Sequence, residues 1–335
     1  MRFFGPGVTC AIGLGLWGCS SSTASYTSDA DRGSTHAWIS VERSETLSIG
    51  AASPTGAASI AVGASGASPA SPGSPSNASP ALPNPGALAP SANPAVAPQV
   101  RAFASFMRTP PHVDAAAVAR ATGFELALPA LGECTEGEPA REKAGAIAGG
   151  RAELLDVGEV SVETQGTRVA LALRAFPAVT DAISGVVYST RDRMATLPAA
   201  ELYSFGARGS SSLPGFVVSA EAPAPLEGLS LNGSPISAES VLGREPAELR
   251  WKPGTSRDRL YVTMTTGSET IATCAFRDDL GRGMLPALTS TSGRVNVAVH
   301  RLRSVPFNES VNGGVDEGEL RFDFELAVDL PIDPS

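Results

Sequence analysis

The run LRFDFELAVDL (320–330) places Leu320, Phe322, Phe324, Leu326, Val328 and Leu330 at every second position, with Arg321, Asp323, Glu325 and Asp329 between them. A helix would scatter those six apolar side chains around its circumference, whereas a strand gathers them on one face. One face is then buried and the other wet, as in an antiparallel sheet.

Weaker copies of this pattern recur upstream. FELALP (124–129) alternates; TRVALALRAF aligns Val169, Leu171 and Leu173; RLYVTM aligns Leu260, Val262 and Met264; RVNVAVHRL aligns Val295, Val297 and Val299. In TIATCAF, Cys274 shares a face with Phe276 and should point inward. Turn signals separate these runs, among them Gly166, Pro214-Gly215, Asn232-Gly233 and Pro253-Gly254. VDAAAVARATG reads as a short helix stopped by Gly123. The expected fold is an all-β antiparallel sandwich over 124–335, as one elaborated unit or two packed halves with a boundary near 220–225.

The first third has a different character. Residues 51–98 carry no Asp, Glu, Lys or Arg and hold ten prolines. So few large apolar side chains cannot offset the cost of ordering the chain, and proline interrupts helices and central strands. The expected organisation is a polar tether over 19–50, an Ala/Ser/Pro/Gly-rich disordered linker over 51–98, and a further linker with the short helix over 99–123. A Pro-rich docking ligand is the alternative, without the flanking Arg or Lys such motifs usually carry.

The N-terminus reads MRFFGPGVTCAIGLGLWGCSSS, with one basic residue and an apolar run from Val8 to Trp17 that is too short to span a bilayer. Leu16, Gly18 and Cys19, followed by serines, resemble the lipobox of bacterial lipoproteins, with Trp17 bulkier than usual at its position. The resemblance implies a signal peptide over 1–18, cleavage before Cys19, and acylation of the Cys19 thiol, palmitate included. Two or three acyl chains suffice for stable anchoring. Ser20 in place of an acidic residue implies the outer membrane of a Gram-negative envelope. An ordinary secretory signal cut after Ala24, with Cys19 lost or free, is the alternative. With Cys10 removed and Cys19 acylated, Cys134 and Cys274 form an even pair in an oxidising compartment and are expected to bridge, two free buried thiols being the alternative.

Two further resemblances concern the folded part. LRWKPG (249–254) is similar to a strand end of fibronectin-type or immunoglobulin-like modules. It and the stretches YSFGARGSSSLPGF and CAFRDDLGRGMLP look like uncharacterised secreted β domains of soil and predatory bacteria, which implies fold and address but no activity.

Candidate chemistry is sparse. In NESVNGGVDEGE (308–319), Asn308, Ser310, Asn312, Asp316 and Glu319 stand at positions 1, 3, 5, 9 and 12, with Gly313 at 6. This resembles the EF-hand loop and implies a calcium site, although Asn replaces the usual first Asp and strands flank it. The competing reading is a solvated hairpin loop. Asp278-Asp279 reads as an exposed loop cap, a metal role being the alternative. Neither GxSxG nor HExxH occurs, so a catalytic triad would have to use His300, expected to face solvent, or His112 in a linker-like stretch. Paired carboxylates for glycoside hydrolysis are not excluded by composition. A net charge of −9 argues against a nucleic-acid partner. The expected function is non-enzymatic: an envelope lipoprotein whose domain binds a protein or polysaccharide or serves a structural role. A loop-borne hydrolase and a calcium-stabilised module are the alternatives.

Overall fold

The computed structural model describes residues 33–47, 99–137, 151–176, 183–190, 197, 200–237, 240–288, 293–309 and 314–333. Cys19, the stretch 51–98, Ser310, Asn312 and Gly313 lie outside these described residues.

The elements begin with β1 (Ser34–Thr46), β2 (Gln99–Thr109), α1 (Ala115–Thr122), β3 (Cys134–Glu136) and β4 (Ala152–Leu154). Next come β5 (Val160–Thr164), β6 (Thr167–Ala170), β7 (Ala172–Phe176), β8 (Ile183–Ser189), β9 (Leu202–Gly209) and β10 (Pro214–Glu221). They are followed by β11 (Ser230–Leu231), β12 (Ser234–Pro235), β13 (Ala247–Arg250), β14 (Asp258–Thr266) and β15 (Glu269–Arg277). A 3-10 turn (Asp278–Leu280) leads into β16 (Arg282–Leu285), β17 (Arg294–Phe307) and β18 (Glu317–Pro331).

Ten strands form one sheet in the order β3-β15-β14-β17-β18-β1-β2-β4-β8-β7. Two four-stranded sheets, β10-β9-β5-β6 and β12-β11-β13-β16, cover its inner face. The first builds a core with β1, β2 and the start of β18; the second builds another with β14, β15, β17 and the end of β18. The fold is thus all-β, two sandwich-like halves sharing one long sheet. Strand β18 serves both: Leu320, Phe322 and Phe324 enter the first core, and Leu326, Val328 and Leu330 the second.

Between the two cores, on the inner face of β17, stand Arg301 and Arg303. They continue the alternation of Val295, Val297 and Val299 into a position where charge is costly to bury. Each is answered by an aspartate and by backbone carbonyls. Arg301 pairs with Asp278 (Nε to Oδ2, 2.9 Å) and donates to the carbonyls of Ala224, Pro225 and Lys252. Arg303 pairs with Asp258 and donates to the carbonyls of Glu221 and Ala222. The segment at 221–225, where the chain passes from one covering sheet to the other, is held by these two guanidiniums.

The short helix forms as its sequence implies. Asp114 caps it by accepting from the Ala116 N–H at 2.9 Å, and Gly123 ends it with φ 79°, a left-handed conformation that glycine adopts without steric cost. Cys274 is fully buried on β15 and is joined by a disulfide to Cys134, directly opposite on β3.

Several expectations are corrected. The tether expected over 19–50 contains β1, and the linker expected over 99–123 contains β2. In β1, Ala37, Ile39 and Val41 face the core; in β2, Val100, Ala102, Ala104 and Phe106 do. Three of these seven inward residues are alanines, so the alternation is faint until the covering sheet supplies the burial. Strands β1 and β2 are antiparallel neighbours, with Ser44 opposite Gln99. Residues 47–98 therefore connect two adjacent strands and do not lie in line between Cys19 and the domain. The pairing of β1 with β18 is parallel, as is that of β4 with β8, in an otherwise antiparallel sheet. FELALP forms no strand: it leaves α1 as an irregular segment, and the Gly132 N–H donates to the Ala275 carbonyl on β15. TRVALALRAF is not one strand either. It changes sheets at Leu171, with β6 in a covering sheet and β7 in the long one, and Leu173 is left exposed.

Candidate functional site

The outer face of the long sheet carries the residues that alternate with the core. Over β2, β4 and β8, helix α1 covers it: Val118, Ala119 and Phe124 pack on Met107, Leu154, Ile183 and Val187. From Phe124 the chain runs as a strap towards β15, passing over the outer side of β1, β18, β17 and β14. Between strap and sheet lies a cavity of about 1000 Å³. Leu126 and Leu128 line it from the strap, Trp38 from β1, and Leu302 and Ser304 from β17.

Charge is distributed unevenly along this cavity. Asp316, Glu317 and Glu319 stand towards the β17–β18 hairpin, and Arg321, Arg259 and Arg257 further along. The Asp316 carboxylate accepts from the Thr35 N–H at 2.8 Å, and Glu319 accepts from the Ser304 hydroxyl at 2.7 Å. Glu317 lies 3.5 Å from His36. Burial holds the His36 imidazole below its ordinary pKa, although Glu317 and Asp316 pull the other way. Glu125 of the strap is paired with Arg120. Among the described residues, the side chains of Arg257, Arg259 and Arg321 make no hydrogen bond and no ion pair.

A smaller recess of about 270 Å³ adjoins the cavity and shares Trp38, Glu319 and Arg321 with it. Its walls are aromatic: Trp38 stacks on Phe124 at 6.1 Å, and Phe103 and Phe176 pack around the same ring. Glu42 and Arg101 also line it. Desolvation beside the recess raises the Glu42 carboxyl above its ordinary value, with Arg101 opposing the effect and Asp323 adding to it.

Beside Glu42 on the neighbouring strand is Asp323, which the alternation places on a wet face. Its side chain is instead only 16% exposed, and it is the centre of a polar cluster. His300 Nδ1 is hydrogen-bonded to Asp323 Oδ1 at 2.9 Å, the Tyr261 hydroxyl donates to Oδ2, and the imidazole stacks on the Tyr261 ring at 4.1 Å. Burial alone would raise the Asp323 carboxyl, but His300, Tyr261 and Arg321 outweigh it and hold it below its ordinary value. Burial, reinforced by Asp323, pushes the Tyr261 phenol well up. The expectation of a solvent-facing His300 is thus corrected: Tyr261 and Asp323 enclose it.

Of the five expected calcium donors, Ser310 and Asn312 lie outside the described residues. The other three are engaged within the protein: Asn308 donates its amide to the Asp316 carbonyl, and Asp316 and Glu319 bind Thr35 and Ser304 as above. No cluster of three or more His, Cys, Asp or Glu side chains suited to a metal occurs among the described residues. Asp278 is no exposed turn residue, being fully buried against Arg301; Asp279 is half-buried and held by Arg277. His112 is exposed and does not line the cavity or the recess.

The residues missed from the sequence are Trp38, Glu42, Tyr261 and Arg321. The one signal that pointed to them was the alternation itself, since each is the outward neighbour of a core residue. No protein-family model matches this chain, and no curated protein matches it.

Proposed function

We propose that the chain is an exported envelope lipoprotein, held to the outer membrane by acyl chains on Cys19, whose β domain is a non-enzymatic binding module. The observation that carries the binding reading is the cavity of about 1000 Å³ between the 124–129 strap and the outer sheet face. Open, partly apolar and polar-rimmed hollows of this size suit extended ligands of the envelope, a polysaccharide above all. The placement of β1 revises how the domain is held. Only Ser20 to Gly33, fourteen residues, separate Cys19 from the first core strand. Even fully extended, fourteen residues reach no more than about 50 Å, which bounds the distance of the module from the bilayer.

Two experiments test this reading. Labelled palmitate is incorporated by the full chain and not by Cys19→Ser, which leaves the membrane fraction; equal labelling of both removes the anchor. The immobilised full chain retains at least one member of a panel of envelope glycans, and Ser304→Trp, which fills the cavity, abolishes that retention. Binding unchanged in Ser304→Trp removes the cavity as the site.

A second reading, an envelope hydrolase, is favoured by one observation. Glu42 and Asp323 are neighbours on β1 and β18, and their surroundings drive their pKa values apart, the pattern of an acid and a base. Release of reducing ends from a glycan by the parent, lost in Glu42→Gln, would select it over the first.

A further inference from the structure

Resting on the binding reading above, we propose that the cavity takes a carboxylate-bearing polysaccharide, its acid groups on Arg257, Arg259 and Arg321 and its hydroxyls towards the hairpin end. Four carboxylates and three guanidiniums face this space, and their situations differ. Asp316, Glu319 and Glu125 already receive protein donors, and Glu317 stands beside His36. The side chains of the three arginines have no hydrogen bond or ion pair among the described residues. A guanidinium presents five N–H donors in a planar fork that matches a carboxylate, so three of them in one hollow form an acceptor-seeking surface.

Position adds direction. Arg321 lies opposite Ser304 on β17, and Arg259 opposite Leu302, whose other neighbour is Asp323. Since β17 separates β14 from β18, the backbones of Arg259 and Arg321 are about 10 Å apart across the sheet. Glu317 precedes Arg321 by four residues, about 13 Å along the strand. The cavity is therefore dipolar, with open donors at one end and carboxylate acceptors at the other. Carboxylates accept hydrogen bonds from sugar hydroxyls, and Pro306 offers apolar surface to a sugar ring. A chain carrying repeated acid groups and many hydroxyls satisfies both ends at once. A free inorganic anion would use only the basic end and leave most of the volume unfilled.

The test uses the full chain in detergent micelles, with oligogalacturonate and its methyl-esterified, uncharged form as probes in titration calorimetry. The acid form should bind about tenfold or more tightly than the ester, with affinity falling as salt rises. The double variant Arg257→Gln/Arg259→Gln should lose about tenfold in affinity for the acid form and little for the ester. Both residues are exposed, so the variant should melt with the parent. Equal binding of acid and ester, an unaltered double variant, or binding of neither form would overturn the assignment. So would poly-glutamate competing as well as the sugar, which would make the ligand an acidic peptide. If the ester binds as well as the acid and Ser304→Trp abolishes both, the acid specificity fails while the binding reading stands.

Discussion

Arg303 holds Asp258 through two hydrogen bonds, Nε to Oδ1 at 2.6 Å and Nη2 to Oδ2 at 2.9 Å, with both side chains buried where the two cores meet. The same guanidinium reaches the carbonyls of Glu221 and Ala222, and Asp258 also accepts from the Thr255 N–H and hydroxyl. Cutting one side of this arrangement strands a charge. Arg303→Met should cost about 3–5 kcal/mol in urea unfolding, and Arg303→Met/Asp258→Leu should recover much of the loss.

Acid should weaken the fold through two carboxylates. Burial alone would raise Asp258, but the Arg303 and Thr255 hydrogen bonds outweigh it, so its folded pKa lies below its ordinary 3.8. Asp323 is shifted the same way. A depressed folded pKa contributes stability that is complete above the unfolded value and is lost as pH falls through the folded one. Urea midpoints should therefore decline between about pH 5 and pH 2, and Asp323→Asn should decline less steeply.

Gly254 is a steric requirement. A Cβ placed there would lie 1.9 Å from Asp278 Oδ2, and that carboxylate is tied to the buried Arg301. The Asp278 backbone is held as well, its carbonyl accepting from Trp251 Nε1 at 3.0 Å. Gly254→Ala should cost about 1–3 kcal/mol, read as a lower melting temperature.

The tyrosines should titrate late. Burial pushes Tyr188 up to about 12 and raises Tyr203, and Tyr261 is raised well above its ordinary value. Of the chain's four tyrosines, at most one should form phenolate in the native protein at about pH 10, measured by absorbance. Because the folded values are raised, alkali above about pH 10 should destabilise the fold, and the remaining phenols should then ionise together with unfolding.

The disulfide closes a separation of 140 residues, joining the end of the strap to β15. Its removal in Cys134→Ser/Cys274→Ala should cost about 2–5 kcal/mol, seen as a lower urea midpoint that no longer responds to reductant.

Local pattern alone determined that this chain folds as β-sheet. The six alternating residues of β18, the inward-facing valines of β17, the buried Cys274 and the short helix stopped by Gly123 could all be read without coordinates. Each depends on neighbours one to four positions away, where chain geometry dictates which side chains share a face. Only the tertiary structure decided partners. Alanines among the inward residues make β1 and β2 faint in the sequence; β1 pairs with a strand some 280 positions away, and β2 with β1, β4 and β8. The same non-local pairing converts Asp323 from an expected wet residue into a hydrogen-bonded centre and makes Arg301 and Arg303 ties between two cores. The outer cavity is likewise a product of crossing: the strap passes over strands remote from it in sequence, and alternation does not encode what lies above a face.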